Sequence, residues 1–125
     1  MELETIILFA LMCKHAVADL AVQSFRVPSK KHLYFNKGLH LHSLDHSVLT
    51  FITLLFFINP LSAVLFAILD YICHWHIDFT KSNILKKFNI SREGPAFWRL
   101  QTFDQIFHYA TYALIVFLME GVRFA

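Results

Sequence analysis

Glycine and proline are scarce in this chain, with three of each among 125 residues. A sheet of many short strands needs far more turn chemistry than that, so continuous helices are the simpler reading. Cysteine is scarce too. Cys13 and Cys73 both sit inside apolar stretches, which excludes a disulfide framework and leaves two free thiols expected to be buried as small hydrophobes. Charged residues supply only 16% of the chain against 57% hydrophobic ones. Ordinary soluble domains carry about 25% charged residues, so a water-facing surface of normal polarity is not available. The length allows one domain, residues 1–125.

Four apolar segments fill most of the chain, at about 3–25, 39–58, 61–80 and 101–120. Each approaches the roughly 20 residues a helix needs to cross the hydrocarbon of a bilayer. In lipid the backbone finds no water, which forces such segments into helices. The expected fold is therefore all-α: an integral membrane bundle of four helices, up-and-down. Asn59 and Pro60 make a very short connection, so the second and third segments should form an antiparallel hairpin with Pro60 in the first turn of the third helix. Ala16-Val17-Ala18 looks like a leader cleavage site after an apolar run. The start Met1-Glu2-Leu3-Glu4 is acidic where a leader needs positive charge, so the first segment is expected to be retained.

The longer connections are basic. The stretch 26–41 carries Arg26, Lys30, Lys31 and Lys37 without an acid, and 79–101 carries Lys81, Lys86, Lys87, Arg92 and Arg99 against Glu93. Up-and-down topology puts both on one side, which then holds nine of the eleven Lys and Arg residues, opposite Glu2, Glu4, Glu120 and Arg123. The positive-inside rule places both basic loops in the cytoplasm and both termini outside. Ile84, Leu85 and Phe88 alternate with Lys86 and Lys87 in a way that suits a short helix on the membrane surface. Trp75, Phe97 and Trp98 suit an aromatic belt.

Ionisable residues within such segments are costly and by default mark function. Here they come in pairs: His15 with Asp19, His42 with His46, His74 with Asp78, and Asp104 with His108. Each pair is spaced i,i+4, which puts both side chains on one helix face. At 1.5 Å per residue every pair lies within roughly 10 Å of the basic-loop end of its helix. Five His and three Asp thus arrive at one depth. A lone membrane His is more often an interhelical hydrogen bond than a ligand, and a lone Asp–His pair can be an ion pair or a proton relay. Four matched pairs favour metal coordination, for which imidazole with carboxylate suits Zn, Fe or Mn. Eight donors exceed what one ion needs, so two divalent ions are expected. Asp70, on the His74 face but a turn deeper, is expected as an orienting group or optional ligand. Gln23, Gln105 and Lys81 are expected to contact ligands or substrate, Lys81 through an anionic headgroup, although an interfacial Lys also snorkels to water. His32, His40, His76 and Asp45 fall outside the aligned faces.

The series His15-Ala-Val-Ala-Asp19-Leu-Ala-Val-Gln23, His42 with His46, His74-Trp-His-Ile-Asp78-Phe-Thr-Lys81 and Asp104-Gln105-Ile-Phe-His108 resembles a family of small bacterial and phage membrane proteins, domain-of-unknown-function family 3307. The resemblance spans nearly the whole chain and implies the same ligand set, without an established activity. The chain is also loosely similar to membrane-bound metal-dependent hydrolases of bacteria. The resulting expectation is a multi-pass protein of the bacterial inner membrane that hydrolyses a lipid or lipid-linked phosphate at the cytoplasmic leaflet. Water activated at the metal would attack, with Asp19, Asp78 or Asp104 as ligand or general base. Membrane lipid, not nucleic acid, is the expected partner, with self-association left open. Rival readings are a di-iron oxidoreductase acting on acyl chains, a divalent-metal transporter, and a non-catalytic accessory protein with a structural metal.

Overall fold

A computed structural model describes residues 2–22 and 37–123. Among them every regular element is helical, in agreement with the all-α expectation. Helix α1 (Leu3–Ala16) runs directly into a π-helical segment, Val17–Val22. Helices α2 (Lys37–Leu54), α3 (Pro60–Lys87) and α4 (Pro95–Arg123) follow. Two of them, α3 and α4, are long and apolar enough to cross a membrane.

Local chemistry sets the helix boundaries. Asn59 caps α3 by accepting a 2.9 Å hydrogen bond from the Ser62 amide, and Pro60 follows at the first helical position. Leu54 ends α2 and residues 55–58 form a turn, so the second segment stops four residues short of its expected end at 58. The third helix runs past its expected end at 80. Nothing between Asp78 and Lys87 breaks a helix, and the apolar and basic residues expected in a separate surface helix form the last turns of α3 instead. That helix closes at Asn89, whose φ of 49° lies in the left-handed region that Asn tolerates better than most residues. Ile90 N–H donates to Leu85 O at 3.0 Å and Asn89 N–H to Lys86 O at 3.2 Å, the paired bonds of a Schellman termination. Pro95 opens α4 six residues before the expected 101.

Helix α1 packs on α2 and α4, and α3 packs on the same two helices. An apolar core of Ile7, Leu11, Leu54, Ala63, Phe66, Tyr112, Ile115 and Met119 draws on all four. These positions come from α1, from the end of α2, from the start of α3 and from the second half of α4. Beside that core the interior changes character: Lys14, His15, His42, His46, Asp70, His74, Asp78, Asp104 and His108 are all buried. Both cysteines are free, but neither is in the core: Cys13 is exposed and Cys73 half-buried.

Candidate metal centre

Asp19 gathers the first half of the centre. It sits in the π-helical segment, a local widening that recurs at functional sites. Its Oδ2 lies 3.0 Å from His15 Nε2, and its Oδ1 lies 3.2 Å from His42 Nε2 and 2.8 Å from His46 Nε2. Asp78 gathers the second half. Its Oδ2 is 3.5 Å from His74 Nε2 and 3.6 Å from His42 Nε2, and its Oδ1 is 3.3 Å from His108 Nε2. The rings of His46, His74 and His108 stack in a row with centroid separations of 3.8 and 4.2 Å.

Two groups of side chains are able to hold a metal ion: Asp19, His42, His46 and His74 in one, His74, Asp78 and His108 in the other, with donor atoms within 4.8 Å of one another. His74 belongs to both. His15 and Asp104 belong to neither group: His15 lies against Asp19 with its ring 4.8 and 5.1 Å from those of His46 and His108, and Asp104 lies against His108. Asp104 divides its oxygens, with Oδ1 3.4 Å from His108 Nε2 and Oδ2 3.2 Å from Lys81 Nζ. All eight residues expected as donors therefore converge, from α1 and its π-helical extension, α2, α3 and α4.

Unsatisfied buried atoms test whether a cation suits the set. His74 is 1% exposed, yet neither ring nitrogen has a hydrogen-bond partner among the described residues. His15 Nε2, His42 Nδ1 and Asp104 Oδ1 share that condition. His15 Nε2 and Asp19 Oδ2 are close enough for an ion pair without the alignment of a hydrogen bond. Buried polar atoms are nearly always satisfied, so lone pairs and carboxylates crowded in this way fit a divalent cation.

Around the donors lies a further polar layer. His15 Nδ1 shares a 2.6 Å hydrogen bond with the Tyr112 hydroxyl, the outer contact that typically orients a ligating imidazole. Lys14 Nζ pairs with Asp70 Oδ2 at 2.8 Å, donates to His46 O at 3.3 Å, and lies 3.5 Å from His46 Nδ1 and 4.5 Å from the Tyr112 ring centre. Thr50 donates to the same Asp70 oxygen at 2.5 Å. Asp70 is thus committed to Lys14 and Thr50 and stands outside both donor groups. Gln105 Nε2 reaches Asp104 Oδ2 at 3.4 Å, next to the donors as expected. Lys81 faces Asp104, where a role with an anionic headgroup was expected. Gln23 and His32 lie outside the described residues. His76 is exposed and donates to the Ile72 carbonyl at 2.7 Å, while His40 bonds Tyr71 away from the centre.

Residues 7–123 match the family described as Protein of unknown function (DUF3307). The chain belongs to this family. No curated protein and no solved structure matches it. Every donor of the centre falls inside the stretch that the family covers, as do Lys14, Thr50, Asp70 and Tyr112.

Proposed function

We propose that the protein is a membrane-embedded, metal-dependent hydrolase of lipid or lipid-linked phosphate, acting at the cytoplasmic leaflet of the bacterial inner membrane. The observation that carries the metal reading is the pair of donor groups joined at His74. Their donors suit two divalent ions, Zn, Fe or Mn. Such ions supply Lewis acidity toward a phosphoryl oxygen and acidify water at neutral pH. Asp19 is the carboxylate within reach of water, with 26% of its side chain exposed against 3% for Asp78 and Asp104. Asp19 and Asp78, the latter enclosed by His42, His74 and His108, would each hold an ion, and the Asp19 oxygen not given to the ion would take the proton from the attacking water.

Membrane residence rests on the outer surface. Phe9, Leu20, Phe56, Leu61 and Phe117 are each at least 66% exposed, and many more large apolar side chains face outward. Large apolar side chains exposed in such number suit a surface that faces lipid. In this reading all four helices span, up-and-down, with the basic connections inside. Cys-free protein carrying Lys37→Cys or Glu93→Cys should resist impermeant thiol reagents in intact cells. Labelling of both positions from outside would reverse the orientation.

The hydrolase is tested with metal-loaded protein in phospholipid vesicles supplied with a long-chain alkyl phosphate. Inorganic phosphate should be released and a chelator should stop it. Asp19→Asn should slow release by about 10²–10⁴-fold, the usual contribution of a general base. Oxygen consumption by iron-loaded protein with no phosphate release would replace the hydrolase by the oxidoreductase.

A further inference from the structure

Between α3 and α4, on the outer side of the Asp104–Lys81 pair, lies an open cavity of about 290 Å³. Ile77, Ile84, Leu100, Phe103 and Phe107 make its lining predominantly apolar, and His76, Thr80, Lys81 and Asp104 are its polar members, with Lys81 and Asp104 midway along it. Asp104 Oδ1 is 3.4 Å from His108 Nε2, so the cavity adjoins the donors at Asp104. Phe103 and Phe107 are 60% and 57% exposed, which leaves the cavity open sideways toward whatever surrounds the helices.

We infer that this cavity is a binding groove for one acyl chain of a membrane amphiphile, whose anionic head is held by Lys81 beside the metal centre. The inference rests on the lipid-phosphate reading above and adds to it the place of the chain, its anchor and its direction of approach. The cavity lies at the lower end of the roughly 300–1,000 Å³ typical of small-molecule sites, which suits a single chain and not a two-tailed lipid enclosed whole. An apolar trough next to a lysine is complementary to a molecule that is apolar along its length and anionic at one end. An ammonium has three donors, and a Lys is a point-charge partner for phosphate, so Lys81 can meet a headgroup oxygen while facing Asp104. Access from the side also spares the charged head a crossing of the apolar core around Tyr112 and Met119.

The test is photolabelling of the full-length protein in phosphatidylcholine nanodiscs, with a long-chain alkyl phosphate bearing a diazirine in its tail and the matching alkyl alcohol as control. Labelled positions are mapped by mass spectrometry, with metal present and again after chelation. The phosphate probe should concentrate on Ile77, Phe103 and Phe107, the lining residues on the membrane side of Lys81, in both states and exceed the alcohol. Lys81→Ala should lower labelling there about tenfold, the factor expected when an interaction near 1.4 kcal/mol is lost. Leu100→Trp, which fills the groove, should also abolish it while leaving bound metal unchanged. Labelling spread over Phe9, Phe56 and Phe117 in proportion to their exposure would overturn the groove, as would equal labelling by the alcohol. Groove labelling in a protein that binds no metal would overturn the hydrolase reading alone, and metal binding without groove labelling would overturn the groove alone.

Discussion

Replacing His74 with alanine should empty both halves of the centre, whereas replacing His46 or His108 should empty one. His74 is the residue that both donor groups contain. Its loss leaves Asp19, His42 and His46 on one side and only Asp78 and His108 on the other. His46→Ala removes a donor from the first group alone, and His108→Ala from the second alone. Loss of an outer partner of a metal ligand typically costs 10–100-fold in affinity, so loss of a direct donor should exceed that. Metal analysis of detergent-purified protein should therefore find about two ions per chain in the parent, near one in each single-group variant, and close to none in His74→Ala. His76→Ala, whose ring faces outward and bonds the Ile72 carbonyl, should keep the parental content. Each variant is compared at equal folded yield, because an unfolded chain loses metal for a trivial reason. A folded His74→Ala that retains two ions would show that the groups do not share it.

The donor set was readable from the sequence because helices turn spacing into direction. Residues four apart share a face, so His15/Asp19, His42/His46, His74/Asp78 and Asp104/His108 each define one, and the apolar positions between them point those faces inward. Their matched depth follows from rise per residue alone. Helix ends were harder to read. Whether α3 stops near 80 or runs on to Lys87 is decided by the Asn89 termination, and a basic, amphipathic stretch looks the same on a surface helix as on the last turns of a long one.

The polar layer beyond the donors left a signal that the pairs obscure. One more step of four along each face leads from His46 to Thr50, from His74 back to Asp70, and from His108 to Tyr112. Asp70 stands out because it is charged, whereas nothing in the residue type of Thr50 or Tyr112 separates them from ordinary interior residues. Lys14 has no such step, since Ala10 and Ala18 occupy the positions four away. The apolar spacing carries that signal instead: Ile7 and Leu11, seven and three residues before Lys14, share its face, and packing of α1 against α2 and α4 places its ammonium at Asp70.

Breaking that pair should destabilise the bundle strongly. Lys14 and Asp70 side chains are 5% and 1% exposed, so each ion has exchanged water for the other and a few fixed dipoles. A buried pair of this kind contributes little net stability relative to a well-packed apolar pair, because desolvation offsets the attraction. Breaking it is different. Lys14→Met leaves a carboxylate with only Thr50 to satisfy it, and Asp70→Leu leaves an ammonium against the Tyr112 ring and the His46 carbonyl. Each single variant should lose about 3–5 kcal/mol in reversible unfolding in mixed micelles, the usual result of stranding one buried charge. The double variant Lys14→Met/Asp70→Leu strands neither and should recover most of that loss. It should still bind metal more weakly than the parent, by roughly 10–100-fold, since His46 has lost the ammonium that contacts its carbonyl and Nδ1. Single variants within about 1 kcal/mol of the parent would be the behaviour of a solvated pair, and would contradict the burial of Lys14. Additive losses in the double variant would mean that the two residues act through separate contacts, because coupled partners must show a non-zero interaction energy in such a cycle.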